Sequence, residues 1–407
     1  FVDKEARFTT GQIDNQSQSG STSGEIVIDG DVTVSSATTF TGGPQHLTVT
    51  DTFTLPSGDT NSRELKPTAG SLRFNQDFAT LEFYTGNNWA TVNTFTEMQN
   101  SPGNRGRVIF MGGSFNYSPL SIETDTIDFI TLSTLGNAVS FGVLTSANDQ
   151  TACCGSAIRG FRFGGNRPMT DRIDFVTFAS EGDAIDFGNL TSSREGGSGC
   201  ASETRSIAAG GSAGSHVDTI DYAEIATIGN YLDFGNLTST NYNGPDAVSN
   251  GIRGIFAGGI KPGFAGGASS IDTISIASKG NAVNFGDLTN ARRNIIPCSN
   301  SIRGVFMGGR DNGGSVGGVI DYITMASEGN ATHFGNLTND QFRGAGTNNH
   351  VRGLAIGGDT NSPGSNINVI ESLIIATTGS VEDFGDSAVE TEGQVGCSDS
   401  HGGLGGF

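Results

Sequence analysis

Three residue types recur in fixed registers and invite a chemical reading. Acids stand at Asp128, Asp174, Asp221, Asp272, Asp321 and Glu371, and arginines at Arg107, Arg159, Arg205, Arg253, Arg303 and Arg352. Thiols stand at Cys154, Cys200, Cys298 and Cys397, with Cys153 beside the first. A charged ring would bind an ion or ligand, and a thiol ring would hold a metal or cycle between redox states. The repetition argues against both. A site specialises, whereas a residue copied into every unit serves the scaffold. The acids and arginines are therefore expected to form cross-strand pairs inside each unit. No CxxC spacing suggests zinc, and equivalent positions in different units lie beyond the ~7 Å Cα separation that a disulfide allows, so buried free thiols are expected.

Other chemistry is sparse. The histidines are His46, His216, His333, His350 and His401, and none belongs to an HExxH or sits beside a repeated nucleophile. There is no GxSxG, no P-loop and no dinucleotide fingerprint. The Asn-Leu-Thr sequons at Asn189, Asn236 and Asn336 read as turns, because Asp287 takes the Asn place in the equivalent unit. The sequence thus predicts no catalytic residue, no cofactor and no metal, and a protein that is not an enzyme.

The elements that carry these residues are repeats. An apolar run followed by Gly-Gly occurs six times, with the first glycine at 112, 164, 210, 258, 308 and 357. Phe-Gly keeps the same beat at Phe141, Phe187, Phe234, Phe285, Phe334 and Phe384. Between the two markers lies an alternating stretch such as Val319–Ser327, VIDYITMAS, which reads as a strand with one buried face. Gly-rich breaks read as turns. Units of about 50 residues with several short strands cannot bury both faces alone, and stacking them around an axis gives a propeller. The stretch before each doublet also repeats, as ACCGSAIRG, PCSNSIRG and the terminal GCSDSHGG. Residues 396–402 restart the unit, so the C-terminal segment is expected to supply the missing inner strand of the first blade.

The doublets, the strand after each and the aromatic position at Phe334 and its equivalents resemble Kelch repeats, with Phe where that family carries Trp. The resemblance covers about residues 100–407 and implies an all-β fold, a six-bladed Kelch-like β-propeller. Strings like IDYITMAS and FGNLT also resemble repeat proteins of bacteriophages, marine ones especially.

Composition sets further limits. Charged residues make up 16% of the 407, Gly numbers 62, and the formal net charge is −20. Such a charge argues against phosphate-backbone binding, so no nucleic-acid partner is expected. No run of 18 apolar residues exists, so no membrane insertion is expected.

Residues 1–25 are polar and Ser/Gly-rich and read as a flexible segment. Residues 26–55 alternate as short strands, and 26–98 as a whole read as a small β-rich stalk or attachment region ahead of the propeller at 99–407. Within them, LKPTAGSLRFNQDFATLEFYTGNNWATV (65–92) resembles a module of phage tail fibres through Gly70, Arg73, Phe74, Asn75, Leu81, Glu82, Phe83, Tyr84, Gly86 and Trp89. That resemblance implies a virion protein of the tail or a fibre, a homotrimer joined to other tail or capsid proteins through its N-terminal region.

The expected function is a tail fibre or similar appendage displaying a propeller for host-surface recognition, with a glycan or protein as partner. Two alternatives stand beside it: an architectural adaptor or decoration protein of the virion, and a secreted glycan-active enzyme. Recognition would use the loops after each doublet, which vary while the scaffold repeats. The candidate receptor-binding residues are Tyr117, Lys261, Phe264, Arg310 and Asp311.

Overall fold

The computed structural model describes residues 55–64, 67–76, 80–92, 106–117, 120–132, 136–241, 246–262, 267–360 and 366–400. The expectations for 1–25 and for the strands at 26–54 lie outside the described residues. The chain divides into two compact units, Phe1–Thr94 and Phe95–Phe407. Both are β-structured, and the described residues include a single turn of 3₁₀ helix, Thr60–Ser62. Among them no helix is long and apolar enough to cross a membrane.

The N-terminal unit contains one four-stranded sheet in the order Ser57–Gly58, Leu72–Asn75, Thr80–Tyr84, Trp89–Val92. Positive φ angles at Gly70 (+91°) and Gly86 (+102°) turn its corners. One face is polar yet buried. Arg73, Asn75, Glu82 and Tyr84 lie there, and Glu82 accepts hydrogen bonds from Arg63 and from Asn75 Nδ2. The Arg63 guanidinium holds the Glu82 carboxyl below the usual range against its burial. Trp89 donates its ring N–H to the Glu64 carbonyl and tilts against Tyr84. This stretch therefore encodes a buried polar network as well as an apolar pattern.

The second unit contains six sheets of the same plan. Sheet one joins Val395–Ser398, Arg107–Met111, Thr126–Thr131 and Val139–Val143. Sheet two is Ala152–Gly155, Arg159–Phe163, Arg172–Thr177 and Ile185–Asn189. Sheet three is Ser198–Ala201, Arg205–Ala209, Val217–Glu224 and Leu232–Asn241. Sheet four is Asp246–Ser249, Arg253–Ala257, Ala268–Ser275 and Val283–Arg293, with Arg310–Asp311 added at its edge. Sheet five is Ile296–Ser299, Arg303–Met307, Val319–Thr324 and Thr332–Asn336. Sheet six is Ala345–Asn348, Arg352–Asp359, Asn366–Ile374 and Glu382–Asp386. All neighbours run antiparallel. The first strand of sheet one comes from the far end of the unit, with Val395 opposite Met111 and Ser398 opposite Val108.

The sheets neighbour one another in cyclic order. The first strand of each packs against that of the next, and Ala152–Gly155 of sheet two packs against Val395–Ser398 of sheet one. A separate apolar cluster fills each of the six seams. Phe161, Phe163 and Phe187 of sheet two meet Ile225 and Tyr231 of sheet three, and Ile356, Ile370 and Phe384 of sheet six meet Val108, Phe110 and Leu132 of sheet one. The Phe of every Phe-Gly is buried in such a seam. Its glycine is required by the neighbour. A Cβ at Gly188, Gly235, Gly286 or Gly335 would lie 2.0–2.5 Å from the carbonyl oxygen of Gly229, Gly280, Gly329 or Gly379 in the next sheet. The doublets close the second strands with two successive positive φ angles, 64° and 98° at Gly112 and Gly113 and 60° and 106° at Gly308 and Gly309. Only glycine adopts such a pair at no steric cost.

Candidate functional site

The repeated charges turn out to join sheets. Arg107, Arg159, Arg205, Arg253 and Arg303 each donate from Nη1 to a carbonyl after the third strand of the next sheet: Phe178, Ile225, Ala277, Met325 and Ala376, at 2.6–3.3 Å. Where the third strand of their own sheet offers a ring, the guanidinium lies over it, as Arg159 does over Phe175 at 4.6 Å and Arg205 over Tyr222 at 5.1 Å. The repeated acids work in the same way. Thr145, Thr191, Thr238 and Thr289 donate their hydroxyls across a seam to Asp174, Asp221, Asp272 and Asp321 at 2.7–2.8 Å, and the Thr338 N–H donates to Glu371. This corrects the expected pairing of repeated arginine with repeated acid inside a unit. The acids take other cations instead: Arg162 with Asp174, Arg194 with Asp221, Lys261 with Asp272 and Arg292 with Asp321. In strands of this register the repeated arginine is three residues from the position opposite the acid. Arg162 holds that place in sheet two alone.

The cysteines are free. Cys154, Cys200, Cys298 and Cys397 are buried and Cys153 is half-buried. Burial raises the four thiols well above the ordinary range. They fill gaps at the seams. The sulfur of Cys200 stands 2.6 Å from where a Cβ of Gly254 would be, and that of Cys397 2.9 Å from the Cβ place of Gly160.

Residues that do not repeat gather elsewhere, at the doublet end of the axis. Just ahead of the first strands stands a ring of left-handed residues: Gln150 (φ 50°), Gly196 (60°), Asn294 (51°), Arg343 (58°) and Gly393 (68°). At three of the junctions the backbone of one sheet meets that of the next there, with Gly196 N–H to Gln150 O, Arg343 N–H to Asn294 O and Gly393 N–H to Arg343 O at 2.8–3.1 Å. Bulky side chains at such φ values are strained, and strain of this kind clusters at functional sites.

One position earlier the ring is electrically lopsided. Glu392, Asp149 and Glu195 precede sheets one, two and three, bridged to Ser114, Asn166 and Ser212 of the doublet loops. Ahead of sheet five, Arg293 pairs in register with Arg310. Arg343 reaches Glu392 at 3.3 Å, and Arg167 reaches Glu123 at 2.7 Å. Burial, with neighbouring carboxylates, pushes Asp149 and Asp359 up to about 6.

Below this mouth the six first strands enclose an axial cavity of about 110 Å³ to which every sheet contributes. Its lining is largely glycine backbone, with Cys153, Asp246, Asn294, Arg343 and Gln394 among the side chains around it. Asp246 accepts the Ile295 N–H at 2.6 Å, and burial pushes its carboxyl up to about 8. Under the cavity the axis is closed by buried polar side chains. Ser249, Ser299 and Ser398 each donate to a backbone carbonyl of the preceding sheet, at Ala201, Ser249 and Asn348. Among the described residues no group of His, Cys, Asp and Glu could hold a metal ion.

The residues picked from the sequence lie around this end. Tyr117 ends the first strand of the hairpin Ser114–Tyr117/Leu120–Glu123 that follows the first doublet. Lys261 is only 9% exposed, with Nζ 3.7 Å from Asp272. Arg310 lies over the Phe342 ring at 4.8 Å and donates to the Gly314 carbonyl, and Asp311 accepts the Ser315 N–H. Phe264 lies outside the described residues. Sequence reading missed Gln150, Asp246, Asn294 and Arg343. A usable signal was present: four residues before the repeated cysteine the register reads Gln150, Gly196, Gly244, Asn294, Arg343, Gly393. A place where half the copies are glycine marks a left-handed backbone, and its non-glycine exceptions mark specialisation. No protein-family profile matches the chain, and no curated protein matches it.

Proposed function

We propose that Phe95–Phe407 is a six-bladed, Kelch-like β-propeller, and that the chain is a bacteriophage virion protein, a tail fibre or similar appendage. Its propeller recognises a host-surface molecule, with a glycan as the ligand class, through the doublet end. The propeller reading is supported by six antiparallel sheets, five four-stranded and one with a short fifth strand, in cyclic order with an apolar cluster in every seam. The virion reading is supported by the resemblances of 65–92 to tail-fibre modules and of the repeats to phage proteins.

One observation carries the recognition reading. Residues that repeat are spent on the seams, while charged and strained residues that do not repeat converge at one end of the axis. A purely architectural ring has no need of Gln150 and Arg343 at left-handed backbone positions, where glycine is free of strain. The test is binding of the full chain to a glycan array and to whole bacterial cells, with immunogold location of the chain on purified particles. Saturable surface binding and label at a fibre tip are expected. Label at an internal joint with no surface binding would favour an adaptor.

A further inference from the structure

Among the described residues, one seam alone has a thiol on each side. Cys397, in the first strand of sheet one, lies in the apolar cluster between sheets one and two, and Cys153, in the first strand of sheet two, packs against the same cluster. Cys154 turns the other way, into the seam with sheet three. Strand alternation causes the split, because it sends neighbouring side chains to opposite faces. In the other five sheets the place of Cys153 is held by Gly199, Ala247, Pro297, Gly346 and Gly396. The second cysteine is therefore a departure from the repeat. It falls at the strand that comes from the far end of the unit to complete the cyclic order.

The two sulfurs are within reach of each other. The Cys153 thiol donates to the Gly396 carbonyl at 3.1 Å, one residue from Cys397, and lies in hydrogen-bond reach of the Cys397 thiol. At the equivalent seam between sheets six and one, a Cβ at Gly396 would stand 3.5 Å from the Thr347 Cβ, at the short end of the roughly 3.5–4.5 Å that a disulfide spans. Cys153 and Cys397 hold those two places one seam further on. They are offset by one residue in register, so the separation that keeps equivalent thiols apart does not apply to them.

We propose that Cys153 and Cys397 form a redox clasp, which hydrogen peroxide converts to a disulfide that fastens the C-terminal strand of sheet one to sheet two. Cys153 lines the axial cavity and Cys397 is fully buried, so soluble peroxide meets Cys153 first. The Cys153 thiolate attacks one peroxide oxygen and the O–O bond breaks. A sulfenic acid forms, and the released hydroxide joins the thiol's proton as water. The Cys397 sulfur then attacks the sulfenic sulfur. The S–S bond forms as the S–O bond breaks, and the departing hydroxide takes the Cys397 proton as a second water. The two thiols lose two electrons and two protons, and one peroxide becomes two waters. Burial, with Cys153 beside it, raises the Cys397 thiol and holds it protonated until the sulfenic sulfur stands next to it. In a reducing compartment the pair stays as thiols, and in an oxidising one it closes. The clasp stands whether or not the doublet end recognises a ligand.

The experiment is treatment of the folded full chain with a small excess of hydrogen peroxide, followed by thiol counting in denaturant, intact mass and peptide mapping. The expected product is two hydrogens lighter, keeps three of the five thiols and carries a Cys153–Cys397 link within one chain. Its melting temperature is expected to rise by about 5 °C and to return on treatment with dithiothreitol. Cys154→Ser is expected to leave the link intact, and Cys153→Ser and Cys397→Ala each to prevent it. Retention of all five thiols, arrest of Cys153 as a sulfinic acid, or a Cys153–Cys154 link would each overturn the proposal. The wild-type peptide map reads all three outcomes even where a variant fails to fold. A link that forms with no rise in melting temperature would overturn the fastening of the strand.

Discussion

Thr191 in the turn after sheet two donates its hydroxyl to both oxygens of Asp221 in sheet three at 2.8 Å, and its N–H to the same carboxylate at 3.2 Å. Arg194 completes the arrangement at 2.9 Å, with both charged side chains almost fully buried. The equivalent link recurs at four further seams. At the seam between sheets six and one, Ala388 stands in the threonine's place, and Ser387, in the leucine's, hydrogen-bonds the Asn368 and Val389 carbonyls of its own sheet.

Asp221→Ala leaves Arg194 buried without its counter-charge. A loss of about 3–5 kcal/mol is expected in chemical denaturation. Thr191→Val keeps the Arg194–Asp221 pair and is expected to cost about 1–2 kcal/mol. Equal losses for the two substitutions would contradict the assignment of roles.

Gly335 and Gly379 face each other across one seam, and only one of them is sterically bound. A Cβ at Gly335 would lie 2.0 Å from the Gly379 oxygen, while a Cβ at Gly379 meets nothing within 4 Å. Gly335→Ala is therefore expected to destabilise the chain by about 2–4 kcal/mol, and Gly379→Ala to stay within about 1 kcal/mol of wild type. Thermal melting of the two variants decides it.

Stability is expected to fall as pH rises from about 4 to 8. Asp149 and Asp359 at about 6 and Asp246 at about 8 are all raised by burial. A carboxyl that holds its proton more tightly folded than unfolded adds stability while protonated, and that stability is lost as pH climbs through the folded value. Glu82 runs the other way, because its lowered value removes stability as pH falls through the acid range. Melting temperature against pH should decline between 5 and 8, and Asp246→Asn should flatten the upper part of the decline. An unchanged profile in that variant would contradict the role given to burial.

Thiol alkylation offers a check on the seams. Cys153 lines the axial cavity, whereas the other four thiols are buried and raised. The native chain is expected to take up at most one label, at Cys153, and the denatured chain all five. Rapid labelling of Cys200 or Cys298 in the native chain would show that the seams open.

The sheets were legible in the sequence because strand alternation and glycine turns are local, and they recur six times. The restart at 396–402 pointed to the strand that pairs with Arg107–Met111. The partners of repeated charges were not legible. Arg205 and Glu224 are paired within sheet three, yet the Nη1 of Arg205 serves Ile276 and Ala277 of sheet four, and no pattern within one unit encodes its neighbour. The mouth was hidden for a related reason. Glu392, Asp149 and Glu195 are far apart in the chain and meet only through the cyclic order, so no local cluster of acids announces them.

Binding of the full chain to host cells and a glycan array, wild type against paired variants, tests the recognition claim most directly. Substitution at the doublet end, with Arg310→Ala and Asp246→Asn combined, is predicted to abolish binding without lowering the melting temperature by more than a few degrees. Substitution at the opposite end, where Ile252 and Ile302 are exposed in the turns before the second strands, is predicted to leave it intact. Binding that survives the first pair and is lost with Ile252→Ser and Ile302→Ser would place recognition at the wrong end of the axis.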